Sequence, residues 1–568
     1  MFKWPWKRKS IRYDRRGKDI DPDEIFIDSS NLPNFDTHQF EGRLEKSISR
    51  RSIFILVGVF SLIIFIFVCR IWILQIEKGD YYFTKSENNR LRNSLIFAKR
   101  GVIYDREGTT LAWNAENTAD KAFDLRKYIP LDGFAHVLGY LKYPAKDKYG
   151  FYFTEVFDGK DGVEKVYNNI LSGENGKRIV EVDALGNTQS ENIIHEPKDG
   201  EDLTLSIDAP IQTKMYQAIE NLAKQVGFSG GAGVIMNVTN GEIIALTSYP
   251  EYSSQVLSDG QNKALIDKYL NDKNKPFLDR VIDGLYTPGS TVKPYMAFAA
   301  LNENIIDPYQ NIFSSGSLSL PNPYDPTKPT IFKDWKAHGY VDMKKALAVS
   351  SDVYFYEVGG GFENQKGLGI LNIDKYMKMF GFGESLVSTF FSGAGGVIPT
   401  PEWKAANFEG EDWRVGNTYH TSIGQYGFQV SPIQLVRAVS ALANGGKLIE
   451  PTILLGEKSE KITNLNLNPA YLKIVKDGMR DGVTQDYGVA KGLNSVDYSV
   501  AAKTGTAELG VYKQFVNSWI TGFYPYEDPK YAFVIIMEKG PVTNTTGALS
   551  VMRQVLDYMA VNKPEYLK

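Results

Sequence analysis

The chain has one cysteine, Cys69, in 568 residues. A single thiol excludes an intramolecular disulfide and any cluster of thiolate metal ligands. Histidine is nearly as scarce, with only His38, His136, His195, His338 and His420. None of the five is assigned a catalytic role, although His338 and His420 lie in stretches able to approach a cleft. Charge of one sign is not in excess either. Against 67 Asp and Glu stand 64 Lys and Arg, a net charge of -3, so the basic field that nucleic-acid binding needs is missing. Repeats and low-complexity tracts are absent. Apolar content of 43% and charged content of 23% are those of a globular chain long enough for two or three domains with a large core.

One long hydrophobic run is present. "IFILVGVFSLIIFIFVCRIWILQI", residues 53–76, is long enough to cross a hydrocarbon layer, which takes about 20 residues. Arg70 near its end can snorkel, and Trp72 suits the interface. We expect a transmembrane anchor over 51–76 rather than a cleaved leader, because no small-residue cleavage site follows it. Residues 1–50 are polar and read as a cytoplasmic tail. Their Lys and Arg residues, from Lys3 and Lys7 to Arg50, favour an N-terminus inside and a large exported part. This makes a single-pass protein of the cytoplasmic membrane with its large C-terminal part on the outer face.

Beyond the anchor, charge at helical spacing over 77–96 predicts a helix. Short β-prone runs broken by Gly, Asn and Asp then predict an irregular, mainly β pedestal over 77–204. A strand at 202–208 leads into a helix from about 209 to 226, with Pro210 in its first turn. "GAGVIMNVTNGEIIALTSYP" (231–250) reads as a hairpin turning at Asn-Gly. Helical segments follow from about 289 to 445, then β runs at "SVAAKTGTAE", "SWITGFYP" and "YAFVIIMEKG", and a helix at about 546–561. Two strands, a helical middle, three strands and a closing helix predict an α+β domain over 205–563, one antiparallel sheet flanked by helices. Asp105 and Arg106 are expected to form a structural ion pair or a partner contact. The Trp-rich "PEWKAANFEGEDWR" is expected to be a packed surface loop, and Tyr354, Phe355 and Tyr356 core.

Three stretches carry chemistry together. In "YTPGSTVKPY" (286–295), Ser290 and Lys293 are one helical turn apart, so the lysine can serve as base to the hydroxyl if burial or nearby positive charge keeps it neutral. A helix N-terminus there favours a developing oxyanion. "AVSSDVYFY" places Ser350 and Asp352 beside an aromatic run. "AAKTGTAE" puts Lys503, Thr504, Gly505 and Thr506 on a β run, where the glycine lets a substrate backbone lie close. Ser350 follows Ser290 by 60 residues and Lys503 follows Ser350 by 153. S-x-x-K, S-D-N and K-T-G in this order mark serine acyl-enzymes of the penicillin-binding and β-lactamase group.

The chain resembles a class B penicillin-binding protein from about residue 51 to residue 560. The resemblance also rests on "RGVIYDREGTTLA", "GVEKVYNNILSGENG", "TSIGQYGFQVSPIQLVRAVSALANGG" and "NSWITGFYP". It implies a penicillin-binding transpeptidase domain on a dimerisation-like pedestal, and a D,D-transpeptidase that crosslinks stem peptides ending in D-Ala-D-Ala and is acylated by β-lactams. By this resemblance Ser290 is the nucleophile and Lys293 its base. Ser350, with Lys503, relays a proton to the departing amine. Lys503, Thr504 and Thr506 hold the terminal carboxylate, and the backbone N–H groups of Ser290 and Thr506 form the oxyanion hole. Asp352 stands where the wider group has Asn, which resembles the elongation type, penicillin-binding protein 2-like. A division-type enzyme, a D,D-carboxypeptidase or β-lactamase, and a non-enzymatic wall scaffold are the alternatives. No cofactor is implied. Some elongation-type relatives carry zinc near the second motif; Asp334 and His338 are present here, but Leu347 stands where a cysteine would be needed, so no metal is expected. The resemblance also implies a partner, a membrane glycosyltransferase of the shape, elongation, division and sporulation family.

Overall fold

A computed structural model describes residues 50–82, 91–148, 152–182, 188–322, 325, 327–459, 461–510 and 512–568. The expected tail lies outside them apart from Arg50. The chain divides into two units, residues 1–91 and 92–568. In the first, helix α1 (Arg50–Trp72) has 23 residues. At 1.5 Å per residue that is about 35 Å, enough for a hydrocarbon layer of about 30 Å. Its Phe54, Phe60, Phe65 and Phe67 all point outward, an arrangement suited to lipid because the helix satisfies its own backbone. Among the described residues it is the one helix long and apolar enough to span.

The second unit opens with the pedestal. Leu91–Ile96 is a strand, not the end of the helix expected over 77–96. It joins a three-stranded sheet, and that backbone pairing outweighs the helical spacing of the charges. A four-stranded sheet follows, built from Ile103–Tyr104, Thr110–Ala115, Leu125–Tyr128 and Leu203–Thr204. The strand expected at 202–208 is thus only two residues long. Glu164 is buried between Arg100 (2.6 Å) and Arg126 (2.7 Å), pairs without which its charge could not be buried.

The larger domain follows. Helix α2 (Ala209–Val226) starts where Asp208 accepts from Ile211 N at 3.1 Å, with Pro210 in the first turn, which satisfies an otherwise orphaned donor. Then come β1 (Gly230–Asn237) and β2 (Ile243–Tyr249). The helical middle contains α3 (Lys293–Asn302), α4 (Met343–Val349), α5 (Asp352–Gly360), α6 (Val415–Ser422), α7 (Pro432–Ala443) and α8 (Pro469–Thr484). Strands β3 (Ala501–Leu509), β4 (Phe515–Tyr524) and β5 (Tyr531–Pro541) and helix α9 (Ala548–Asn562) complete it. The sheet is antiparallel throughout, in the order β2-β1-β5-β4-β3.

Both faces of that sheet are covered. Ala532, Val534 and Ile536 of β5 enter one core with Ile433, Val436 and Val439 of α7. Phe533, Ile535 and Met537 enter a second core with Ile211, Met215 and Ile219 of α2 and Val551, Val555 and Met559 of α9. A strand with both faces buried reads as an unbroken apolar run, which is why "YAFVIIM" shows no alternation. Helix α3 is buried all round from Lys293 to Leu301, so its one charged side chain lies inside the protein.

Pedestal and larger domain are tied by polar groups. Asp105 and Arg106, expected to form an ion pair or partner contact, do not pair with each other. Asp105 accepts from Glu107 N, Thr109 N and, at 3.2 Å, Ala209 N at the start of α2. Arg106 reaches Glu242 at 3.5 Å. Glu251 accepts from Gly133 N and Ala135 N at 2.5 and 2.9 Å.

Candidate active site

Three elements bring the predicted residues together. Ser290 lies in a 3-10 turn, Gly289–Val292, that runs directly into α3. Gly289 has φ 54°, a conformation few other residues adopt, and a Cβ there would stand 2.6 Å from Thr506 O and 3.4 Å from Thr506 N. Gly505 is equally tight: a Cβ would meet Thr291 Cγ2 at 2.6 Å and Pro288 O at 2.9 Å. The two glycines let the Ser290 turn and strand β3 touch backbone to backbone. On the other side, Gly289 N donates to Gly424 O at 3.0 Å, just beyond α6.

Lys293 is fully buried, and its amino group is the centre of the site. Nζ donates to Asp352 Oδ1 at 2.6 Å, to Ser350 O at 2.8 Å and to Ser350 Oγ at 3.3 Å. Its partners are thus the second motif, whereas the helical spacing suggested Ser290. Among the described residues the Ser290 hydroxyl makes no hydrogen bond; it is half-buried. From the opposite side Lys503 Nζ reaches Ser350 Oγ at 2.7 Å and Thr504 O at 3.0 Å. Ser350 Oγ is therefore shared by two lysine side chains. Burial pushes the Lys503 amine far below its ordinary range, Lys293 adds to this by repulsion, and Asp352 opposes it. A lysine held neutral can take a proton from the hydroxyl between them.

The backbone at the second motif is unusual. Ser350 ends α4 with φ 59°, and Ser351 caps α5 by accepting from Tyr354 N at 3.3 Å. Asp352 is the first residue of α5, where the helix dipole favours its negative charge. Left-handed backbone at a non-glycine residue costs about 1–3 kcal/mol and persists where surroundings over-determine it. Here Asp334 supplies much of that constraint. Its side chain is fully buried. Oδ2 accepts from Ser351 Oγ at 2.9 Å, Val353 N at 3.0 Å and Ser314 Oγ at 3.2 Å, and Oδ1 accepts from Trp335 N at 2.8 Å. Burial works to raise its pKa, but the N–H donors of Val353 and Asp352, the Lys293 charge and the Ser351 hydroxyl hold it below the usual range.

Asp334 is the residue that sequence reasoning missed as a support of the site; it was considered only as a metal ligand. A metal does not fit around it. Its oxygens are taken up by protein donors, His338 Nε2 lies 3.4 Å from Oδ1, and Leu347 belongs to the apolar core. Among the described residues, no group of three His, Cys, Asp or Glu side chains is placed to hold an ion.

Strand β3 is an edge strand of the sheet. Its outer backbone groups are open to pairing with a peptide, as edge strands are. Lys503 and Gly505 are buried, Thr504 is half-buried and Thr506 is exposed. The Trp-rich stretch is packed as expected, but its first half, Pro401–Asn407, is a helix capped by Thr400 rather than loop; Trp403, Phe408 and Trp413 surround Tyr426 with ring centroids 5.8–6.1 Å away. Tyr354, Phe355 and Tyr356 are buried.

The Ser290 turn, a Ser-Asp pair at a helix start and a Lys-Thr-Gly edge strand, brought together in one junction, fit a serine acyl-transfer enzyme. The chain matches the penicillin-binding protein transpeptidase domain over residues 231–557 and the penicillin-binding protein dimerisation domain over 121–205, and it belongs to the penicillin-binding protein transpeptidase family. Within that family it is an elongation-type peptidoglycan D,D-transpeptidase. The peptidoglycan D,D-transpeptidase MrdA of Salmonella typhimurium is 28% identical, over 91% of this chain and 96% of its own length. Pseudomonas aeruginosa PBP2, solved with WCK 5153, is 28% identical with a TM-score of 0.69, covering 84% of this chain and 98% of that one. Helicobacter pylori PBP2, solved with MreC, is 25% identical with a TM-score of 0.69, covering 83% and 99%.

Proposed function

We propose that Ser290 carries the acyl group between donor and acceptor stem peptides. The observation that supports this most is Ser350 Oγ held between Lys293 and Lys503 beside the Ser290 turn. Lys293 takes the Ser290 proton as Oγ attacks the D-Ala-D-Ala carbonyl. The backbone N–H groups of Ser290 and Thr506 receive the oxyanion, a pairing supported by the close backbone approach of Gly289 to Thr506. Ser350 passes a proton, replenished through Lys503, to the departing D-Ala amine. Lys503, Thr504 and Thr506 hold the substrate carboxylate, while Asp352 keeps Lys293 in place. An acceptor amine then displaces Ser290. Fluorescent penicillin labelling of the full chain tests the assignment. The Ser290→Ala protein should fold and remain unlabelled; equal labelling overturns the role of Ser290.

The domain limits we propose are an anchor over 51–76, a pedestal over 77–204 and a transpeptidase domain over 205–563. The basic flank of the anchor supports an N-terminus inside and the catalytic domain outside. A C-terminal alkaline phosphatase fusion that is inactive in intact cells would reverse that orientation. β-Lactams are ligands on this reading, consistent with the matched domain. A membrane glycosyltransferase is the partner we propose for anchor and pedestal. Exchange of these segments for those of a division enzyme should uncouple the partner's polymerase activity, and unchanged polymerisation would remove the partner.

A further inference from the structure

His420 packs close to the second motif, with Phe332 and Tyr356 as ring neighbours, and nothing in the mechanism above uses it. It sits on α6, four residues before Gly424, whose carbonyl binds the Ser290 turn. Its ring packs 5.3 Å from Phe332 and 6.4 Å from Tyr356. Tyr356 is one helical turn beyond Asp352 on α5, so the imidazole stands over the Asp352 end of that helix. Two charged groups face it, Asp352 from α5 and Lys513 from the connection between β3 and β4. Lys513 is in turn paired with Glu508 at the end of β3. Phe332 and Tyr356 present rings only; the Tyr356 hydroxyl is turned to Lys333 O at 3.1 Å.

The second half of the reaction has a proton to dispose of that the two lysines do not account for. A primary amine with a pKa of about 10.4 is neutral in only about one molecule in a few thousand at pH 7. Lys293 and Lys503 are engaged with Ser350 and Asp352, and neither faces bulk solvent. The geometry points to His420 as the group that strips the first proton from the incoming acceptor ammonium. The inference rests on Ser290 being the acylated residue. The step balances: R–NH3+ gives one proton to the neutral imidazole, leaving R–NH2 and an imidazolium beside Asp352. The amine lone pair then forms the C–N bond as the nitrogen gives its second proton to Lys293, the C–Oγ bond of Ser290 breaks, and Lys293 passes that proton to Ser290 Oγ. The imidazolium releases its proton to water.

Burial lowers the His420 pKa, Lys513 lowers it further, and Asp352 opposes both. The free base is the form present above that pKa, so His420 is ready to accept a proton at neutral pH. Partitioning of the acyl-enzyme between a D-amino acid acceptor and water, measured from pH 5.5 to 10 on the full chain, tests this. Acylation by fluorescent penicillin is measured on the same samples. In the wild type, aminolysis should level off above the histidine pKa. In His420→Gln, the ratio of aminolysis to acylation should fall about 100-fold at pH 7. It should then climb with pH toward the pKa of the amine itself. His420→Phe, which keeps a ring against Phe332 and Tyr356, should behave as the Gln variant does. A ratio and pH profile like those of the wild type in either labelled variant overturns the role of His420. Loss of labelling in Ser290→Ala alone tests the other reading, so the two fail separately.

Discussion

Ser350 accepts three hydrogen bonds from two lysines and has a left-handed backbone, and Asp334 braces the residues that follow it. The carboxylate reaches Ser351 and Val353, the residues on either side of Asp352, so it sets where Asp352 meets Lys293. It touches no substrate atom and acts by positioning. Asp334→Asn keeps the shape but turns an amide N–H2 toward groups that are themselves donors. A buried donor left without a partner costs about 1–3 kcal/mol. We expect the folded variant to be acylated by fluorescent penicillin about 10- to 100-fold more slowly. Acylation within twofold of the wild type would show that Asp334 serves stability alone. Asp334 was weighed in the sequence only as a metal ligand, not as a brace of the site. Its role depends on strands and helices that close over it from positions 20 residues before and 17 residues after it.

At the scale of elements, the site is a three-way junction of the turn into α3, the α4–α5 boundary and β3. The junction tolerates no added atoms at Gly505. In Gly505→Ala the new methyl would press on Thr291 Cγ2 and Pro288 O, separating the nucleophile turn from the strand that binds substrate. Overpacking of this kind costs about 1–3 kcal/mol, which leaves a domain with two large cores folded. The second-order rate of penicillin acylation should fall at least tenfold while the melting transition drops only a few degrees; an unaltered rate would mean that the turn and β3 need no close contact. The elements themselves were legible where local signals are strong: Asn-Gly between β1 and β2, Asp208 and Pro210 at the start of α2, and the apolar run of β5. Leu91–Ile96 was not, because a strand added to a sheet takes its conformation from partners far along the chain.

For the whole molecule, the junction of pedestal and larger domain is sensitive to acid. His136 of the pedestal is buried against Tyr252 of the larger domain, ring centroids 5.2 Å apart. Burial lowers its pKa to about 3, and Arg280 adds to this. An unfolded histidine titrates at about 6.5, so between these values the unfolded chain binds the extra proton. Stability is complete above about pH 6.5 and is lost as pH falls toward 3, with a slope approaching about 1.4 kcal/mol per pH unit. His136→Leu removes that proton uptake. Denaturant unfolding from pH 7 to pH 4 should show a shallower loss for the variant; parallel curves would mean that His136 is not responsible.

The three motifs S-x-x-K, S-S-D and K-T-G, the apolar anchor and most of the larger domain's strands and helices were set by the sequence, because each depends on residues within a turn or two of one another. The tertiary structure alone decided that Lys293 binds Ser350 and Asp352, 57 and 59 residues away, and that Lys503 reaches the same hydroxyl across 153 residues. It also decided that Asp334 braces the second motif, that β3 lies at the sheet edge, and that His420 packs against Phe332 and Tyr356. Periodicity reports which face of an element is buried; which buried groups meet depends on chain closure over distances that no local pattern records.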